Sequence, residues 1–152
     1  MADIISKIDE LLEKPCYLID IFPGTVPKTA DGRYFAIEEF LQANRREWNE
    51  KFRRLLLKIY CYYDFWVSFG AESAENPEPR LFAKWIQDCF EGAWKERDYM
   101  NIILPDCNAM VILNGDDLYM SVYNPDNRLM ELISQLAGAE GFFFYKAPGA
   151  QA

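Results

Sequence analysis

Residues 55–69 read LLLKIYCYYDFWVSF, the longest aromatic-rich apolar run in the sequence. We interpret its second half, residues 60–69, as a central β-strand, because aromatic and β-branched side chains favour strands. Side chains alternate between the two faces of a strand. The face that we predict to be buried carries Cys61, Tyr63, Phe65, Val67 and Phe69. The opposite face, a mixed aromatic and polar one that can either pack or bind, carries Tyr60, Tyr62, Asp64, Trp66 and Ser68.

Length and composition indicate one soluble domain that spans residues 1–152. The chain is 51% hydrophobic and 26% charged, as is ordinary for a globular protein, whereas its 16% aromatic content is high. The net charge of −8 makes it an acidic protein that should repel nucleic acids, so we predict no nucleic-acid partner. No apolar run approaches the ~20 residues of a membrane helix, so we also predict no membrane association.

Cysteine and histidine usage restricts the chemistry. The four cysteines (Cys16, Cys61, Cys89 and Cys107) are widely spaced, unlike zinc or dithiol motifs. With no apparent signal peptide, they predict reduced thiols in the cytoplasm. Histidine is absent, which removes the commonest general base and metal ligand. No nucleotide-binding or hydrolase motif occurs, so we predict no metal and no cofactor, and a non-enzymatic role is favoured, although carboxylate, lysine or tyrosine catalysis stays open.

Apolar spacing and helix-start residues predict four helices, of which the first two span residues 3–13 and 37–58. The third has its cap and first turn at residues 76–79 and its apolar stripe at 81–90. The fourth starts at residues 124–126, has its stripe at 129–137 and ends at Gly138. The helix at 37–58 is the longest, and one arc of it carries Ile37, Leu41, Trp48, Phe52, Leu55 and Ile59. Its opposite side is basic and is expected to face water. Gly92 should end the third helix, and residues 94–98 should form a polar connector.

Strands are predicted at residues 16–22, at 100–104 as an edge strand, and at 142–145. The acidic segment 71–79 is interpreted as a loop. Asn114-Gly115 predicts a hairpin between residues 108–113 and 117–123 with a type I′ turn. A two-residue loop would pair Val111 with Leu118. With a four-residue loop, each side chain would remain on the face of the sheet that the two-residue loop gives it.

From residue 60 onward, with the edge strand 100–104 left aside, the predicted order is strand, helix, strand, strand, helix, strand. This is the split βαβ order of ferredoxin-like folds, βαββαβ, here with an N-terminal α-β-α extension. We therefore predict an α+β two-layer sandwich, with a mainly antiparallel sheet and helices on one face. The alternative is a third layer, in which the N-terminal helix or the loop 23–35 covers the other sheet face.

The uncovered sheet face supplies the candidate binding residues, since tyrosine, tryptophan and methionine are enriched at interfaces. These candidates are Tyr60, Tyr62, Asp64, Trp66, Met110, Tyr119 and Tyr123. Two carboxylates within predicted strands, Asp20 and Asp64, must either be hydrogen-bonded or face solvent. No catalytic residue can be assigned.

Two functions are compatible with such a face. The first is a non-enzymatic protein-interaction module that forms a homodimer or masks a partner, in the manner of an immunity protein or antitoxin. The second is a small-molecule-binding or carboxylate-dependent catalytic domain, with a pocket lined by Tyr62, Asp64, Trp66 and Tyr119. A broad flat apolar patch would favour the first, and a concave site with converging polar groups would favour the second.

Overall fold

The computed structural model describes residues 3–91, 99–115 and 117–148, in which five α-helices accompany a seven-stranded sheet. The helices are α1 (Ile4–Leu11), α2 (Gly32–Ala43), α3 (Arg45–Tyr60), α4 (Pro79–Glu91) and α5 (Asn127–Ala139), with a 3-10 turn at Lys28–Ala30. The strands are β1 (Cys16–Asp20), β2 (Trp66–Phe69), β3 (Glu72–Glu75), β4 (Tyr99–Leu104), β5 (Ala109–Asn114), β6 (Tyr119–Tyr123) and β7 (Phe143–Lys146). The predicted α+β class with an antiparallel sheet is confirmed. The predicted helix end at Gly92 and the connector 94–98 lie outside the described residues.

The sheet order is β3-β2-β4-β5-β6-β1-β7, and all neighbouring strands are antiparallel. Two split βαβ units result: α4 connects β3 to β4 around β2, and α5 connects β6 to β7 around β1. The ferredoxin-like βαββαβ order from residue 60 is nevertheless wrong. The acidic segment Glu72–Glu75 is a strand, and Tyr99–Leu104 lies between β2 and β5 instead of at an edge.

The interpretation of residues 60–69 as a central strand is also wrong. Helix α3 continues through Tyr60, and β2 begins only at Trp66, one position in from the sheet edge. Buried Leu55, Leu56 and Ile59 maintain the helical spacing up to that point. Cys61 is consequently exposed, whereas the other members of the predicted apolar set, Tyr63, Phe65, Val67 and Phe69, are buried.

The single helix predicted at 37–58 is interrupted at Asn44 and forms two helices, α2 and α3. The Asn44 side-chain amide donates a hydrogen bond to the backbone oxygen of Phe40 at 2.9 Å. Such local bonding competes with the helical ladder, which explains an interruption that apolar spacing does not show. Only the second half of the predicted stripe is buried, since Ile37 is 50% exposed.

The main core lies between one face of the sheet and helices α3, α4 and α5. Phe52 of α3 is at its centre, with its ring stacked on Phe142 at a centroid separation of 4.2 Å and on Phe90 at 6.0 Å. At the rim of this core, the buried Glu140 carboxylate accepts hydrogen bonds from Arg54 and Lys58. The α3 cations therefore tie that helix to the end of α5.

The predicted hairpin is present with a different register. Leu113 pairs with Met120 and Val111 with Val122, so the two-residue type I′ loop is wrong. The strands end at Asn114 and resume at Tyr119, which is the spacing of a four-residue connection. Because the shift is even, each side chain stays on its predicted face.

The second face of the sheet is covered in part, so the prediction of helices on one face only is wrong. Helix α1 places Leu11 against Ile103 and Met110, all three almost completely buried. The apolar stripe of α1 needs such a surface, because the helix would otherwise expose it to water. The third-layer alternative is the one observed here. No helix in the described segments is long and apolar enough to cross a membrane.

Candidate functional site

The residues predicted as binding candidates are dispersed in the structure. Trp66, Met110 and Tyr123 pack in the cluster beneath α1. Tyr60 belongs to α3, where its ring stacks on Phe65 at 4.7 Å and its hydroxyl donates to the Pro77 oxygen at 2.8 Å. These four side chains therefore contribute to the packing of the fold.

The pocket predicted from Tyr62, Asp64, Trp66 and Tyr119 is not formed. Tyr62 and Asp64 lie in the exposed turn after α3, because residues 60–64 are not part of a strand. Trp66 on β2 and Tyr119 on β6 are separated by two intervening strands. Tyr62 instead lines a small cavity of about 210 Å³ beside Tyr63 and Arg128.

A larger groove, with a volume of about 840 Å³, lies over the half of the second sheet face that α1 leaves uncovered. Its floor is formed by β1, β6 and β7, and its wall by the segment 21–31 and helix α2. The floor side chains are Leu18, Asp20, Tyr119, Ser121 and Tyr145. Strand register brings them together, since Leu18 is opposite both Ser121 and Tyr145, and Asp20 is opposite Tyr119.

The wall is formed by side chains at helical spacing on α2. Tyr34, Glu38 and Leu41 line the groove and share one side of the helix. The Tyr34 ring packs against Phe22 at a centroid separation of 6.2 Å, which links α2 to the segment before it. This segment departs from β1 at Asp20 and contains Pro23, Gly24 and Pro27, residues that favour turns over a continued strand.

Each of three tyrosine hydroxyls in the groove has a carboxylate as its partner. Tyr145 donates to Asp20 Oδ2 at 2.5 Å, and Tyr34 donates to Glu38 Oε2 at 3.5 Å. Tyr119 is hydrogen-bonded to Asp117. The other Asp20 oxygen, Oδ1, accepts the backbone N–H of Ile21 at 2.7 Å.

Burial and these carboxylates together raise the pKa values of the groove tyrosines. Loss of hydration is the largest cause for Tyr34, Tyr119 and Tyr145, and the charge of Asp20 contributes to the raised pKa of all three. The tyrosines therefore remain neutral hydrogen-bond donors beyond their ordinary titration range. Asp20 is the charged neighbour that all three tyrosines share.

The charge of the groove is strongly one-sided. Its described lining contains four carboxylates, from Asp20, Asp31, Glu38 and Asp117, and a single cation, Lys28. Histidine is absent from the sequence, and cysteine is not among the described lining residues. Within residues 3–91, 99–115 and 117–148, no three acidic or cysteine side chains come close enough together to hold a metal ion.

The outer side of α2 carries a second unusual feature. Although all twelve of its residues are described, none is buried. On the side away from the groove, Phe40 is 67% exposed and Ile37 is 50% exposed, whereas the equally exposed Phe35 lines the groove. A peripheral helix normally turns its large apolar side chains toward the protein, so exposed apolar side chains away from the groove are atypical.

Sequence reasoning found part of this site. Asp20 was recognised as a carboxylate within a strand, and Tyr119 was among the candidates, but Tyr34, Glu38 and Tyr145 were missed. The spacing of Tyr34, Glu38 and Leu41 is a signal for a shared helical face. The helix predicted at 37–58 obscures it, because Tyr34 lies before the predicted start of that helix.

Comparison of the chain with models of protein families, with curated proteins and with solved structures finds no significant match.

Proposed function

We propose that this protein binds a small organic molecule in the groove between the sheet and α2. The observation that carries the proposal is the convergence of polar groups from three strands and one helix on one concavity of about 840 Å³. Sites for small molecules typically measure about 300–1,000 Å³ and combine apolar walls with a few placed polar groups.

The lining matches that description. Leu18, Phe22, Val26 and Leu41 offer apolar contact, while Asp20 and the tyrosine–carboxylate pairs can orient a ligand. A concave site favours the small-molecule hypothesis over a broad flat interface on the sheet face, much of which lies beneath α1. We propose binding without a catalytic step, since tyrosines and carboxylates suffice for recognition.

Nile red, a neutral apolar dye, tests the proposal. Its emission should rise when it enters the groove of the native protein. Ser121→Trp, which adds a large ring at the half-buried floor, should abolish that rise. Ser68→Trp is the matched control, because Ser68 is also a half-buried strand serine on the same sheet face but lies outside the groove. Equal dye binding by wild type and a folded Ser121→Trp variant, or no binding at all, would show the proposal to be wrong.

Exposed Ile37 and Phe40 favour a second candidate function, contact with another protein through the side of α2 that faces away from the groove. The other protein would be a second copy of this chain or a partner that the acidic protein masks. We propose that this contact forms in the cytoplasm, where the four cysteines would remain thiols. Sedimentation over a range of concentrations tests self-association. Ile37→Ser with Phe40→Ser should abolish it, whereas the exposed Ile5→Ser on α1 should not. A wild type that stays monomeric would exclude the second-copy version.

A further inference from the structure

We infer that the ligand of the groove is an organic cation, a molecule with an apolar body and a protonated amine. The inference rests on the proposed function and specifies the chemical class that this same site would accept. It follows from the charge of the lining, from the position of Asp20 and from the aromatic side chains around it.

Charge complementarity excludes an anionic ligand most directly. The lining carboxylates of Asp20, Asp31, Glu38 and Asp117 outnumber the one ammonium, Lys28. An anion would be moved out of water into a site of its own sign, at a cost that no nearby group offsets. The net charge of −8 on the chain also attracts cations and repels anions at long range.

Asp20 is placed to receive the amine. It is half-buried at the end of β1, between β6 and β7, and it lines the floor of the groove. Its oxygens already accept one bond each, from Tyr145 and Ile21. A carboxylate offers about four lone-pair positions, so each oxygen can accept a further donor. An ammonium brings three donors, and charge-assisted bonds of this kind are among the strongest in proteins.

The aromatic content of the site supports the same ligand class. Phe22 and Tyr34 form one wall, while Tyr119 and Tyr145 lie on the floor. Aromatic rings attract cations through their negative faces, and quaternary and primary amines are recognised in such surroundings. Because burial and Asp20 keep these tyrosines protonated, they add no competing negative charge of their own.

Three probes that share one body separate charge from apolar contact: 4-phenylbutylammonium, 4-phenylbutan-1-ol and 4-phenylbutanoate. Calorimetric titration of the full chain at pH 7 should show that the amine binds at least about ten-fold more tightly than the alcohol, with the carboxylate weakest. The preference for the amine over the alcohol should decrease as salt is added. This comparison uses the wild-type protein and needs no variant.

Asp20→Asn should weaken amine binding about ten-fold and leave alcohol binding within about two-fold. Asp64→Asn, at an exposed aspartate outside the groove, is the matched control and should change neither. If Asp20→Asn fails to fold, Glu38→Gln on the half-buried side of α2 replaces it, with a smaller loss of amine affinity expected.

Equal affinity for amine and alcohol in the wild type would overturn the assignment of a cation. The proposed function would still stand if Nile red binds and Ser121→Trp abolishes that binding. If neither the dye nor any of the three probes binds, both the ligand class and the proposed function are wrong.

Discussion

The α-carbon of Gly115 lies against the backbone of Cys89, so that a β-carbon built on Gly115 would be 2.0 Å from the Cys89 carbonyl oxygen. Side-chain carbons essentially never approach other atoms within 3.0 Å. The connection after β5 therefore packs directly on the last turns of α4. Glycine is required at position 115 because the Cys89 backbone leaves no room for a β-carbon.

Substitution of Gly115 by alanine should lower the free energy of unfolding by about 1–3 kcal/mol, because a rigid backbone atom blocks the new methyl group. Gly138→Ala is the matched control. Gly138 lies within α5 with no atom near its virtual β-carbon, so alanine there should stabilise the protein by about 0.5–1 kcal/mol. Urea denaturation of the three proteins measures both effects. A Gly115→Ala variant as stable as wild type would contradict the packing described for this connection.

The same glycine shows how far local sequence predicts this fold. Asn114-Gly115 correctly predicted a hairpin. Apolar alternation correctly predicted the sheet face on which each strand residue lies, because an even shift in register does not change that face. The dipeptide did not predict the register or the close contact of Gly115 with α4. A dipeptide pattern contains no information about the helix that packs on it.

Phe52→Ala should destabilise the protein by about 3–5 kcal/mol, since its ring is buried between those of Phe90 and Phe142. Arg53→Ala, one position along α3, should remain within about 0.5 kcal/mol, because that side chain pairs with Glu50 on the surface of the same helix. Denaturant unfolding of the two variants compares them. The reverse order would mean that the inward face of α3 is assigned incorrectly.

The α3–β2 junction shows the opposite limit of sequence reasoning. Residues 55–69 are apolar or aromatic at almost every position, so periods of 2 and 3.6 both fit them. The structure assigns Leu55–Tyr60 to a helix and Trp66–Phe69 to a strand. Between them the chain turns, and Tyr60 packs on Phe65 and Phe82, contacts that apolar spacing does not reveal.

The candidate site was predictable only in its general position. Alternation placed Tyr119 and Ser121 on the second sheet face, and Asp20 was a strand carboxylate in need of a partner. The groove itself requires β1 to lie between β6 and β7, which is a long-range pairing. Asp20 and Tyr145 become neighbours through that pairing alone.

Native-state thiol modification should distinguish one cysteine from the other three. Cys61 is exposed, so it should react rapidly with a disulfide reagent at pH 8. Cys89 is buried, and burial raises the pKa values of Cys16 and Cys107, the latter to about 11. These three should react slowly until the protein is denatured, when four thiols should be counted. Cys61→Ser should remove the fast phase, and an unchanged fast phase would contradict the assigned exposures.

Glu140→Gln should destabilise the protein at neutral pH and have little effect in acid. The Glu140 carboxylate accepts hydrogen bonds from Arg54 Nη2 at 2.7 Å and from Lys58 Nζ at 3.4 Å, although its side chain is only 6% exposed. The bond from Arg54 is the largest cause that lowers the pKa of Glu140 below its ordinary 4.5. A carboxyl group with a lowered pKa stabilises the folded state when both states are ionised.

The stabilising effect is thus fully present above about pH 4.5 and is lost as the pH falls through the lowered pKa. Thermal unfolding of wild type and Glu140→Gln from pH 7 to pH 3 should show a difference in melting temperature that shrinks toward the acid end. Glu131→Gln, at an exposed position on the same helix, should follow wild type across the range. A Glu140→Gln difference that is constant with pH would mean that packing of the side chain, and not its charge, links α5 to α3.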